Sequence, residues 1–117
     1  MKKIYHLSTC DACKRIIKEL NLPGDVVMQD IKTTPVTSDQ LEAMKKLSGT
    51  YESLFSKRAR LYKEKGLKEK DLGENDFRSF ILEHYTFLKR PVIIIDDQIF
   101  IGNSKKVTQA VFNVLHP

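Results

Sequence analysis

Residues 4–20 read IYHLSTCDACKRIIKEL, a short strand pattern that passes through two cysteines into a helical pattern. A first strand is predicted over Lys3–Leu7, and Ser8-Thr9 ends it. After the cysteines, apolar residues recur at helical spacing and form one stripe that can pack on a sheet. The stripe consists of Ala12, Ile16 and Leu20, with Cys13 and Ile17 beside them. This stretch therefore predicts a strand followed directly by a helix that begins at the thiols.

Three further strands are predicted, one before a long middle segment and two after it. One lies over Asp25–Ile31, after the first helix ends near Asn21. A strand, a helix and a strand in this order need a crossover connection, so these two strands run parallel. Val92–Ile95 is a β-branched run typical of a buried central strand. Asp96-Asp97 then turns the chain into Gln98–Ile101, which predicts an antiparallel hairpin.

The middle segment and the C-terminus carry helical patterns. Thr37 and Gln40 resemble a capping box before a helix that ends near Gly49. Tyr51–Lys65 is predicted to be partly helical, and further helices are predicted around Phe77–His84 and in the last 12 or so residues. The predicted buried positions are Leu54, Phe55, Leu61 and Tyr62. Helical spacing connects Leu41, Met44 and Leu47, connects Phe77, Phe80, Ile81 and His84, and puts Val107, Ala110, Val111 and Val114 on one face of the last helix. The order is βαβ, a helical block, then ββα, which predicts an α/β protein with a mixed four-stranded sheet.

Length and composition favour one ordinary globular domain. The chain has 117 residues, of which 41% are hydrophobic and 30% are charged. The longest apolar run, Val92–Ile95, is far shorter than the roughly 20 residues that span a membrane. The N-terminal residues have no signal-peptide pattern, and two cysteines in close succession do not make the disulfide framework of a small secreted protein. We expect a monomer in the cytoplasm, without a membrane segment.

Positive charge is concentrated in the middle of the chain. The formal net charge is +5, and residues 45–70 hold nine Lys and Arg against three Asp and Glu. Such a block can attract an anion or an acidic partner. It can equally be the solvated face of lysine-rich helices. Because it contains no nucleic-acid motif, we expect no direct binding to DNA or RNA.

The two thiols lie where a helix N-terminus favours an anion. The thiolate is the reactive form of cysteine, and the unpaired N–H groups of a first helical turn stabilise it. Cys10 lies where these groups point and is the predicted nucleophile. Cys13 lies one turn further in and is the predicted resolving thiol, at a separation that permits a disulfide. Lys14 and Arg15 add positive charge, whereas Asp11 opposes it.

Two alternative roles of the cysteines stay open. Zinc needs about four ligands, and the only other candidates of the usual kind, His6, His84 and His116, are scattered along the chain. We therefore expect no metal and no bound cofactor. Cys13 can also be a small apolar residue of the helix stripe.

Arg90 and Pro91 precede the predicted central strand. Proline has no N–H to donate, so Pro91 must lie at the end or edge of that strand. The planar guanidinium of Arg90 can hold an oxyanion. The alternative is an ordinary exposed arginine.

Together these motifs resemble the arsenate reductase/Spx family of thioredoxin-like proteins over nearly the whole chain. The residues that carry the resemblance are Cys10-Asp11-Ala12-Cys13-Lys14-Arg15, Ser56–Glu64 with Gly66-Leu67, and Leu88–Ile94. The resemblance implies one thioredoxin-like domain over 1–117, with a helical insertion over about 36–88. It also implies that Pro91 is the cis-proline that faces the active cysteine of such folds.

Arsenate reductases of the glutaredoxin-coupled class use a cysteine equivalent to Cys10 and three arginines that hold the oxyanion. Arg90 matches one of them. The second falls at Ser56, with Arg58 and Arg60 as nearby alternatives, and the third falls at Gly102-Asn103. Each missing arginine removes charge-assisted hydrogen bonds worth about 1.5–3 kcal/mol each. We therefore expect weak arsenate reduction or none.

The resemblance leaves two functions open. The first is a reductase that uses Cys10, Cys13 and Arg90, with glutathione, glutaredoxin or thioredoxin as reductant. The thiol pair and Gly102 are also similar to Spx-like members, redox-switched regulators that bind the C-terminal domain of the RNA polymerase α subunit. In those regulators a glycine contacts the polymerase, and Gly49 is the nearest match, although a helix-breaking turn explains that glycine equally well.

Overall fold

The computed structural model describes residues 1–117, and the chain divides into two compact units. The first unit comprises Met1–Thr34 and Arg90–Pro117, and the second comprises Pro35–Lys89. The expectation of one domain with an insertion over 36–88 stays a prediction. None of the helices has the length and apolar character that crossing a membrane requires.

The first unit is built on one sheet of four strands in the order β2-β1-β3-β4. The pair β1 and β2 is parallel, and the other two pairs are antiparallel, so that Ile4 lies opposite both Met28 and Ile93. The strands are β1 Lys2–His6, β2 Val26–Asp30, β3 Val92–Ile95 and β4 Gln98–Ile101. The predicted parallel pair, the hairpin and the mixed sheet are confirmed.

Two helices complete the first unit: α1, Asp11–Leu20, and α5, Lys105–Leu115. Side chains from both helices and from β1 and β3 form one core cluster, because the apolar stripe of each helix faces inward. Its members are Ile4, Ile16, Leu20, Ile93, Ile95, Val111 and Leu115. Val114, which the sequence pattern puts on the same helix face as Val107, Ala110 and Val111, is 39% exposed. The inward line runs through Val111 and Leu115, and Val114 lies about 100° around the helix from Leu115.

The second unit contains α2 Ser38–Ser48, α3 Arg60–Glu64 and α4 Glu74–Glu83, with short 3-10 turns between and after them. The predicted capping box is confirmed: the N–H of Gln40 donates to the Thr37 hydroxyl, and the N–H of Thr37 donates to the Gln40 side chain. The 3-10 turns are Glu52–Leu54, Leu67–Glu69 and Tyr85–Phe87. Tyr51–Lys65 is helical in part, as predicted.

The core of the second unit is aromatic. Phe55 is 1% exposed, and its ring stacks on Phe87 with centroids 5.3 Å apart and lies 4.9 Å from Phe77. Leu47, which shares helical spacing with Leu41 and Met44, is 38% exposed. It lies about 120° around α2 from Leu41, which points it away from the buried side of the helix.

Candidate functional site

Strand β1 delivers Cys10 to the start of α1 through a four-residue turn. The Cys10 N–H donates to the Leu7 carbonyl at 3.0 Å. Cys10 is the N-cap residue, with extended backbone angles, and its own carbonyl accepts the Lys14 N–H at 3.1 Å. Cys10 therefore lies directly before the first turn of α1, whose N–H groups have no acceptor within the helix.

The two thiols differ in exposure. Both are free; Cys10 is partly exposed, and Cys13 is 0% exposed within the apolar face of α1. An incoming molecule can therefore reach Cys10 but not Cys13.

The two thiols also differ in acidity. Partial burial by itself raises the pKa of Cys10, but the backbone N–H and thiol of Cys13 and the guanidinium of Arg90 outweigh it, so that the pKa is lowered. Burial and the neighbouring Cys10 sulfur raise the pKa of Cys13 to about 11, although the Leu7 backbone and Arg90 act in the opposite direction. Cys10 is therefore more easily ionised than an ordinary cysteine, whereas Cys13 stays protonated at neutral pH.

Arg90 is distant from the thiol pair in the sequence but lies next to Cys10 in the structure. Its partly buried guanidinium hydrogen-bonds to the Cys10 sulfur. The following peptide bond, Arg90-Pro91, is cis, and Pro91 is buried directly before β3. The structure thus brings Cys10, Cys13 and Arg90 together in the first unit.

The position where a third arginine is expected has a backbone suited to glycine. Gly102 has a φ of 96°, and its N–H donates to the Pro91 carbonyl at 2.9 Å. This left-handed conformation is costly for a residue with a side chain. An arginine at this position would therefore be strained.

The other predicted anion ligands lie on exposed surfaces. Lys14 is exposed on α1. Arg58 and Arg60 are exposed residues of the second unit, and the Arg60 guanidinium lies 3.4 Å from the Glu64 carboxylate. Gly49 caps α2 with a φ of 97° and an N–H that donates to Lys45, so backbone geometry alone accounts for it.

Two of the histidines have backbone partners for a ring nitrogen. The His84 ring accepts the Thr86 N–H at 3.1 Å, and the His116 Nε2 lies 2.8 Å from the Leu20 carbonyl. No group of three or more His, Cys, Asp and Glu side chains is arranged to hold a metal ion.

The sequence analysis missed Asp30, the last residue of β2. Its carboxylate accepts the N–H of Ser8, in the turn that leads to Cys10, at 3.2 Å. The sequence feature that indicates this contact is the predicted parallel pairing of the first two strands, because parallel neighbours end at the same edge of the sheet.

Comparison with known proteins assigns the chain to a family. The ArsC family model matches residues 5–111. The chain belongs to the ArsC family. The expected resemblance to the arsenate reductase/Spx family is thereby confirmed.

Curated relatives of this ArsC-family chain include both kinds of protein that the sequence suggests. It is similar to an arsenate reductase from Yersinia enterocolitica, at 25% identity over 93 residues, which are 78% of this chain and 66% of that protein. The match thus spans just under two thirds of that relative. The chain is also similar to the global transcriptional regulator Spx 2 of Bacillus cereus, at 24% identity over 104 residues, which are 85% of this chain and 77% of the regulator.

Solved structures support the thioredoxin-like fold of the family. An arsenate reductase from Vibrio cholerae superposes with a TM-score of 0.77 at 19% identity, covering 97% of each chain. An arsenate reductase related protein from Brucella melitensis superposes with a TM-score of 0.70 at 21% identity, covering 95% of this chain and 93% of that one. The predicted fold class is confirmed.

Proposed function

We propose that this ArsC-family protein is a thiol-dependent reductase with Cys10 as nucleophile and Cys13 as resolving thiol. One observation carries the proposal: the Cys13 N–H and the Arg90 guanidinium both act on the Cys10 sulfur and lower its pKa. An accessible thiol whose pKa is lowered supplies more of the thiolate, which is the form that attacks a disulfide.

The reaction transfers two electrons to a disulfide. The Cys10 thiolate attacks one sulfur of a disulfide substrate, forms a mixed disulfide and releases the other sulfur as a thiolate. Cys13 then loses its proton, attacks the Cys10 sulfur and releases the second thiolate, which leaves a Cys10–Cys13 disulfide. Two glutathione molecules, glutaredoxin or thioredoxin return the two electrons and restore both thiols.

The raised pKa of Cys13 fits this order of events. In the reduced protein the Cys10 sulfur contributes to that raised pKa. Once Cys10 is bound in a mixed disulfide its negative charge is gone, so this contribution to the pKa of Cys13 falls. Formation of the first covalent bond thereby favours the second step.

Arg90 has two roles in this proposal. Its positive charge favours the Cys10 thiolate before attack, and its planar guanidinium can hold a carboxylate of a glutathione-bearing substrate. Lys14 adds positive charge on the outer face of α1. Arsenate is a poor fit, because Gly102 supplies no guanidinium. The dithiol form requires a reducing compartment, and we assign the protein to the cytoplasm.

The rate of Cys10 alkylation by iodoacetamide, measured against pH, tests this proposal. We expect an apparent pKa of Cys10 below the ordinary value of about 8.5. Arg90→Ala removes a positive charge and a hydrogen bond from the thiolate, so we expect the rate at neutral pH to fall about threefold to tenfold. Arg15→Ala is the matched control and should lower the rate far less, because Arg15 is largely exposed, pairs with Glu19 on α1 and is not among the groups that act on the Cys10 sulfur. A wild-type pKa at or above the ordinary value contradicts the proposal.

The second candidate function is a redox-switched regulator that binds the C-terminal domain of the RNA polymerase α subunit. The extent of the similarity to the Spx 2 relatives, 85% and 87% of this chain, favours it. In that case oxidation of Cys10 and Cys13 changes the affinity for the polymerase, and Gly49 is the candidate contact residue.

A pull-down with the purified α-subunit domain tests the regulator. We expect retention of this protein to differ between its reduced and disulfide forms, because the bond between Cys10 and Cys13 changes the start of α1. Cys13→Ala, which cannot form that bond, should show no such difference. Retention that is absent, or equal in both redox states of the wild type, contradicts this function.

A further inference from the structure

The turn that presents Cys10 is held by a carboxylate from a different strand. Ser8 and Thr9, the two central residues of the turn, are exposed. Apolar packing therefore does not fix them. Instead the Ser8 N–H donates to Oδ1 of Asp30 at 3.2 Å, and the Ser8 hydroxyl hydrogen-bonds to the same carboxylate.

We propose that Asp30 is a positioning residue for Cys10, which ties the turn Leu7–Cys10 to the end of β2. This inference rests on the proposed function, because it concerns how the reactive sulfur of that function is held. Asp30 acts through Ser8 and touches neither thiol in the proposed reaction.

Asp30 is itself held in place by the sheet and by the turn that follows β2. It lies opposite His6 in the parallel register, and the next N–H, that of Ile31, donates to the His6 carbonyl at 2.9 Å. Its own carbonyl accepts the Thr34 N–H at 2.9 Å, and its carboxylate also accepts the Lys32 N–H at 3.2 Å. Asp30 is thus a fixed point for the turn.

The turn connects this fixed point to both sulfurs. Its first residue, Leu7, accepts the Cys10 N–H at 3.0 Å through its carbonyl. The Leu7 backbone also forms a hydrogen bond with the Cys13 thiol. If the turn shifts, the Cys10 sulfur moves relative to the Cys13 N–H and the Arg90 guanidinium. Because hydrogen bonds weaken steeply with misalignment, such a shift reduces the stabilisation of the thiolate.

The negative charge of Asp30 and its hydrogen bonds to the turn affect the stability of the Cys10 thiolate in opposite directions. Hydrogen bonds from Ser8 and Lys32 hold the pKa of Asp30 below its ordinary value, so the carboxylate is ionised at neutral pH. A nearby negative charge disfavours the Cys10 thiolate, whereas correct placement of the turn favours it. Variants that change only one of these two properties therefore distinguish them.

The test compares Asp30→Ala with Asp30→Asn by iodoacetamide alkylation of Cys10 across pH. Asp30→Ala removes the acceptor, and we expect the rate at neutral pH to fall about threefold. Asp30→Asn keeps an acceptor oxygen for Ser8, so we expect the wild-type rate or a slightly faster one. Asp97→Ala, which removes an exposed carboxylate from the hairpin turn, is the control and should leave the rate unchanged.

Each other outcome overturns the inference. Equal acceleration in both variants means that Asp30 acts only by its charge, and unchanged rates mean that it has no role at Cys10. If Asp30→Ala does not fold, Asp30→Glu replaces it, because it keeps the charge but moves the acceptor, and it should slow alkylation. A wild-type Cys10 with an ordinary pKa refutes the proposed function itself, whereas a low wild-type pKa that Asp30→Ala leaves unchanged refutes only the role of Asp30.

Discussion

Cys10→Ser is expected to abolish glutathione-dependent reduction of a mixed disulfide by this protein, with a loss of at least about 10³-fold. A serine hydroxyl does not ionise at neutral pH and cannot form the mixed disulfide on which the proposed reaction depends. The substrate is the mixed disulfide of glutathione and 2-hydroxyethanethiol. Its turnover is followed by NADPH oxidation through glutathione reductase.

Cys13→Ser is the matched control, because it makes the same chemical change at the buried thiol of the pair. This variant retains the Cys13 N–H that stabilises the Cys10 thiolate, and external glutathione can resolve the mixed disulfide in place of Cys13. We therefore expect it to keep measurable turnover. Equal loss in both variants contradicts the assignment of Cys10 as the sole nucleophile. No turnover by the wild-type protein contradicts the reductase and leaves the regulator as the remaining proposal.

The sequence predicted the sheet and the start of α1 because local patterns determine them. The strand over Lys3–Leu7, the break at Ser8-Thr9 and the apolar stripe after Cys10 are contiguous, and each depends only on neighbouring residues. The β-branched run Val92–Ile95 likewise identified the buried strand without knowledge of its partners. The position of the thiol pair at a helix N-terminus follows from these elements alone.

The contacts of the site depend on residues far apart in the chain. Arg90 meets the Cys10 sulfur across most of the sequence, and Asp30 reaches Ser8 from the neighbouring strand. Periodicity carries no information on such contacts, since it reports which face of an element is buried and not what lies against it. The exposure of Leu47 and Val114 has a related cause: both lie at the margin of an apolar stripe in a last helical turn, where the packing partner decides burial.

Phe55→Ala is expected to lower the free energy of unfolding by about 3–5 kcal/mol. The Phe55 ring is buried among Phe87, Phe77 and Phe80, and its removal leaves a cavity whose aromatic walls have few ways to close. This loss is large against a total stability of about 5–15 kcal/mol for an ordinary domain. Urea denaturation measures it, and Phe112→Ala is the control, because Phe112 is 38% exposed and should cost far less. Equal losses in the two variants, or a loss under about 1 kcal/mol for Phe55→Ala, would mean that the aromatic cluster does not hold the second unit together.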